Sequence, residues 1–117
     1  MDIINDYLKR TRNIIKLRNG YFEGVRPRIV CNDGFSVSVQ ASVHTYCTPR
    51  IDGADEYTSV ELGFPSAEDK LIIEYAEDPD EPTETVYGYV PINIVVKLIE
   101  KHGGIVSTKG AENEVRI

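Results

Sequence analysis

The chain has no tryptophan, one methionine, two cysteines and two histidines in 117 residues. No apolar run approaches the roughly eighteen residues that a membrane-spanning helix needs. The G-x-x-x-x-G-K-S/T phosphate loop and the G-x-G-x-x-G dinucleotide turn are both missing, which removes the commonest nucleotide-binding classes. There is no Cys-x-x-Cys pair, so the usual zinc-finger spacing is excluded. Asp33-Gly34 and Asp52-Gly53 lack the oxygen-ligand spacing of a calcium loop. The N-terminal MDIINDYLKR has neither the basic start nor the apolar run of a secretory leader, which predicts a cytoplasmic protein with reduced thiols.

What is present is an ordinary globular mix, 41% hydrophobic and 27% charged. That length and composition predict one domain over 1–117 with a single core. Charge is unevenly spread about the formal net of −6. Residues 1–28 hold seven basic side chains against three acids, whereas residues 52–84 hold twelve acids and one base, Lys70. Such a field steers association with charged partners.

Hydrophobic spacing predicts an N-terminal helix over about 2–18, with Asp2 as N-cap and Asn19-Gly20 as its stop. Asn32-Asp33-Gly34 between two β-prone runs predicts a hairpin. In its second arm Phe35, Val37, Val39 and Ala41 alternate with Ser36, Ser38 and Gln40, so one face packs inward. Further strands are expected at 57–64 and 85–90, and Ser66 opens a short helix. Strand alternation places Tyr87 and Tyr89 on one face. Ile92, Val95, Val96 and Ile99 mark a second helix over about 91–102, closed by Gly103-Gly104. Residues 105–107 suggest a short strand, and 108–117 read as a frayed polar tail. The fold class is therefore α+β: an antiparallel sheet of four to five strands packed by two helices.

Both cysteines and one histidine fall within "CNDGFSVSVQASVHTYC". Cys31, His44 and Cys47 are candidate zinc ligands, with Asp33, Asp52 or His102 as the fourth. The alternative is a hairpin carrying two reduced, buried thiols. A third possibility makes Cys47 a nucleophile with His44 or His102 as base, although no strand–turn–helix elbow surrounds it. The Pro-rich run "AEDPDEPTE" cannot bury itself and reads as an exposed acidic loop. Asp52, Asp55, Glu56, Glu77, Asp78, Asp80, Glu81 and Glu84 are candidate partner-binding acids, with Tyr57 and Tyr87 as anchors. Arg10, Arg12, Lys16, Arg18, Arg26 and Arg28 make the N-terminal region a candidate nucleic-acid contact.

The strings "CNDGFSVSVQAS", "YCTPR", "YTSVELGFPS", "TVYGYVP" and "EKHGGI", from about Arg26 to Ile105, resemble a family of small proteins of bacteriophages, prophages and mobile elements of gut bacteria. The family brings no assigned activity or catalytic residues. Small acidic proteins of that origin resemble anti-defence factors, of which anti-CRISPR inhibitors are the best-known class. The resemblance implies a non-enzymatic inhibitor of a host complex, such as a CRISPR effector nuclease, whose basic channel tracks nucleic acid by charge. The alternatives are a nucleic-acid-binding module using the basic helix and a zinc- or thiol-dependent enzyme.

Overall fold

The first helix starts where Asp2 can cap it. Asp2 Oδ1 accepts hydrogen bonds from the Ile4 and Asn5 amides at 3.0 and 2.7 Å, which satisfies two of the donors a helix start leaves unpaired. In the computed structural model, which describes residues 2–12, 16–18, 21–23 and 25–106, this helix, α1, runs Ile3–Arg10. It is shorter than the hydrophobic spacing predicts, and the reason is a competing donor. In a continuing helix Leu8 O would accept from the Arg12 amide; instead it accepts from the Arg26 guanidinium at 3.2 Å. The Arg12 amide turns to Lys9 O, and Thr11 Oγ1 donates to Tyr7 O at 2.7 Å. The chain then changes structure. Lys16–Arg18 (β1) pairs antiparallel with Tyr21–Glu23 (β2). Asn19-Gly20, the expected helix stop, lies outside the described residues, and in sequence it separates two paired strands.

Four more strands form one antiparallel sheet in sequential order: β3 (Ile29–Val30), β4 (Ser36–Gln40), β5 (Ser59–Gly63) and β6 (Val86–Pro91). The expected hairpin joins β3 to β4. Its turn closes through Gly34 N to Cys31 O at 2.9 Å, with Gly34 at φ +95°. Only glycine adopts such a φ without steric cost. Val37 and Val39 face the core, while Ser36 and Ser38 are half-buried. Gln40 leaves the pattern: it is buried, and its amide exchanges two 2.9 Å bonds with the Arg26 backbone. The segment expected to begin a helix at Ser66 forms only a 3-10 turn, Ile73–Tyr75. Asp69 there accepts from the Leu71 amide in a local turn, a competing bond that favours turns over helix.

Strand β6 carries an irregularity. Val60 pairs with Val90 and Leu62 with Tyr87, so Glu61 faces both Gly88 and Tyr89. This is a β-bulge, and it overturns the expected shared face of Tyr87 and Tyr89. Tyr87 is 0% exposed, whereas Tyr89, at φ +52°, is 49% exposed.

Pro91 leads into α2 (Ile92–Lys101), whose first amide donates to Thr58 O at 3.1 Å. Val95, Leu98 and Ile99 pack inward against a single core that also takes Ile4, Tyr7 and Leu8 of α1 and the inner face of the sheet. Past α2, Ile105 bridges Cys31, which agrees with the expected extended segment as far as it is described. The tail 108–117 lies outside the described residues.

Candidate functional site

The two thiols have different surroundings. Cys31 ends the first hairpin arm and is buried; burial, with the Asp33 charge adding, pushes its pKa up to about 11. Cys47 Sγ donates to Ser42 O at 3.2 Å and lies 3.4 Å from Pro49 O. His44 stands on an exposed turn, and both cysteines are free thiols. The structure does not gather Cys31, His44 and Cys47 into a metal centre: among the described residues no group of three or more His, Cys, Asp or Glu side chains is placed to hold an ion. Of the expected fourth ligands, Asp52 accepts from the Val43 amide at 2.8 Å. The other two, Asp33 and His102, belong to a different cluster.

That cluster was not visible in the sequence. The His102 ring lies flat on Phe35, with centroids 3.9 Å apart and planes 9° from parallel. Its Nδ1 is 2.7 Å from Asp33 Oδ2 and its Nε2 is 2.9 Å from Asp69 Oδ2. Two carboxylate acceptors call for two N–H donors, which only the imidazolium has. Lys101 Nζ adds a contact to Asp69 at 3.0 Å. Asp33 also accepts from the Phe35 amide, and its own amide donates to His102 O at 3.2 Å. The β3–β4 turn and the segment around Asp69 are thus tied to the last turn of α2, where a cation also suits the helix dipole. With both nitrogens engaged, the ring has no lone pair left to act as a general base. Its role is to hold three segments together.

The expected acids divide by exposure. Asp55, Glu56, Glu77, Asp78, Asp80, Glu81 and Glu84 are exposed, and Asp52 is half-buried. The loop from Glu77 to Glu84 is closely built despite its composition. Glu77 N donates to Val86 O, Asp78 N to Thr85 Oγ1, Glu81 N to Asp78 O and Glu84 N to Glu81 O. The Tyr87 hydroxyl donates to Pro82 O at 2.6 Å and pins the loop tip to the sheet. Glu77, Asp80, Glu81 and Glu84 form no ion pair with any described residue.

Tyr57 and Tyr87, expected as partner anchors, are 2% and 0% exposed, so their rings are core and not contact surface. Among the described residues the exposed tyrosines are Tyr46, at 40%, and Tyr89. Their ring centroids lie 5.7 Å apart, the Tyr89 amide donates to Tyr46 O, and the Arg50 guanidinium sits 5.3 Å over the Tyr46 ring. A Cβ on Gly88 would come within 3.3 Å of Tyr46 Cβ, so the glycine permits this approach. A glycine inside a strand pattern is the sequence signal that could have shown the bulge.

The basic residues are dispersed. Arg10 pairs with Asp6 at 2.8 Å, Arg12 donates to Ala54 O, and Arg28 donates to Ser36 O and Phe64 O. Arg26 is 3% exposed and donates to Thr11 Oγ1, Ala41 O and Leu8 O. Lys16 and Arg18 lie on β1 and not on the helix. No helix among the described residues is long and apolar enough to cross a membrane. In comparisons with known proteins, no family model, curated protein or solved structure matches this chain.

Proposed function

We propose that this protein is a non-enzymatic binding protein that docks its acidic loop on a basic, nucleic-acid-tracking surface of a larger complex and so inhibits that complex. The observation that carries the reading is the loop 77–84: four carboxylates that pair with no described residue, Glu77, Asp80, Glu81 and Glu84, on a backbone held by its own hydrogen bonds. A fixed loop loses little conformational entropy on binding, so its charges act at full strength. Opposed to a basic channel they would raise the association rate and compete with phosphates. The family resemblance of the sequence supports an anti-defence role of phage origin, and a CRISPR effector nuclease is the partner class with such a channel.

The test is a tagged pull-down from bacterial lysate expressing a CRISPR effector, with nuclease treatment and a salt series. We expect a protein partner that survives nuclease and is released at high salt. Changing Glu77, Asp80, Glu81 and Glu84 together to Lys should abolish capture; Asp78 is spared because its carboxylate accepts from the Asp80 amide. Capture indifferent to that reversal would sink the reading.

A further inference from the structure

Helix α2 carries more apolar surface than the core uses. Val95, Leu98 and Ile99 are fully buried. Ile92 and Val96, one helical turn apart, form a second row that stays half-buried. They line an open groove of about 550 Å³, within the ~300–1,000 Å³ typical of binding sites. Thr58, at the entry to β5, and Asn93 bring polar groups to its walls. Among the described residues that line it, Asp2, Glu56 and Glu100 stand against one ammonium, that of Lys97. Glu56 and Glu100 are exposed and make no ion pair with any described residue.

We propose that this groove is a docking site for a basic amphipathic helix of a partner protein, which lays apolar side chains on Ile92 and Val96 and pairs its Lys or Arg with Glu56 and Glu100. The i, i+4 row is the ridge that interlocks with a second helix, and an open trough with an apolar floor and charged rim is the setting of helix-in-groove recognition. Charge selects the occupant. A second copy of this chain would bring the same acidic rim, and a net charge of −6, against its own; like charges across an interface oppose association. A basic helix meets the opposite sign. The groove shares no residue with the loop 77–84, so it stands whether or not that loop engages a channel.

The experiment is a titration of isotope-labelled protein with a Leu/Lys model helix of roughly fifteen residues, near the minimum length for helix formation in water. Amide shifts that saturate at Thr58, Asn93 and Val96 are expected. Glu56→Gln with Glu100→Gln, both on exposed side chains, should weaken binding about tenfold, the factor that ~1.4 kcal/mol represents. A Leu/Glu peptide of the same pattern should not bind. The Lys reversal of loop 77–84 should leave the groove shifts in place. Shifts confined to residues 77–84, equal affinity in the Gln variant, or binding of the Leu/Glu peptide would each overturn the proposal. Self-association through α2 in sedimentation would do so as well, by making a second copy the occupant.

Discussion

The His102 Nε2 lies 2.9 Å from Oδ2 of Asp69, a carboxylate thirty-three residues earlier in the chain. Asp69 is almost completely buried and takes Lys101 as well. A buried carboxylate is tolerated when its oxygens are fully paired, and here the charged partners come from the end of α2 and a further bond from the Leu71 amide. The same imidazolium reaches Asp33 on its other side. Sheet turn, loop and helix end therefore share one electrostatic node, and its removal costs more than one contact.

That node sets a pH dependence. Partial burial of the His102 ring favours its neutral form, but the hydrogen bonds and charges of Asp33 and Asp69 outweigh this and raise its pKa. The stabilisation is complete below about pH 6.5, the ordinary histidine value, and is lost as pH rises through the raised folded-state value. For Asp69, burial works upward, yet bonds from the Leu71 amide, His102 and Lys101 bring its pKa down. Its contribution is present above about pH 4 and fades as pH falls through the lowered value. Thermal melts should peak on the acid side of neutrality, and His102→Gln should flatten the alkaline limb. His102→Ala should cost about 1–3 kcal/mol, the scale for leaving a buried polar group unpaired. A wild-type melting temperature that climbs steadily past pH 8, roughly 1.5 units above the ordinary histidine value, would contradict this.

The two glycines after α2 should respond differently to substitution. Gly103, at φ +90°, would place a Cβ 2.9 Å from Asn32 Cβ, whereas Gly104, at φ +85°, faces open space. Both substitutions carry the left-handed backbone penalty of about 1–2 kcal/mol. Gly103→Ala adds a clash with the β3–β4 turn, and that turn is held by Asn32 N to Gly104 O and Asp33 N to His102 O. Urea denaturation should rank Gly103→Ala below Gly104→Ala, and His102→Ala should narrow the gap between them. Equal midpoints would show that the turn gives way freely.

Local patterns carried well into the fold where one physical signal acted alone. The Asp-Gly turn and the alternation of Val37 and Val39 with Ser36 and Ser38 appear as read, whereas of the expected stripe Ile92, Val95, Val96 and Ile99 only Val95 and Ile99 are fully buried and Ile92 and Val96 stay half-buried. Local patterns failed where a distant donor intervened. Residues near Ile14 and Leu17 suited a helix, but its end is set by Arg26, a residue reached only through the sheet. The same limit hid the His102 node, because Asp33, Asp69 and His102 lie far apart in sequence. The expected shared face of Tyr87 and Tyr89 failed at one bulge: Gly88 and Tyr89 oppose a single residue, and period two no longer holds across them.

The thiols offer a quick check on the opening hairpin. With its pKa near 11, Cys31 holds almost no thiolate at neutral pH, and the thiolate is the nucleophile. Native protein treated with iodoacetamide should leave Cys31 unmodified over a period in which free cysteine reacts fully. Unfolding in guanidinium should expose it to labelling at the ordinary rate. Fast native labelling at Cys31 would mean that the β3 end opens readily and that the bridge to Ile105 is weak.

Arg26 separates the two readings of the basic N-terminal region. If its charge served nucleic acid, replacing it would reduce duplex binding and leave stability intact. Its position argues the reverse. The guanidinium is buried against Thr11 Oγ1, Ala41 O and Leu8 O, and burial draws its pKa down without removing its proton. Arg26→Met would keep the apolar stem and leave the Leu8 and Ala41 carbonyls without that donor. A loss of about 1–3 kcal/mol per carbonyl left unpaired is expected, with α1 fraying first because Leu8 O belongs to its last turn. Arg26→Lys keeps the charge but not the planar fork, and should recover only part of the loss. Circular dichroism melts beside a duplex-binding titration decide the matter. A stable Arg26→Met variant that had lost duplex affinity would restore the nucleic-acid reading, and a destabilised one with unchanged affinity would assign Arg26 to the core.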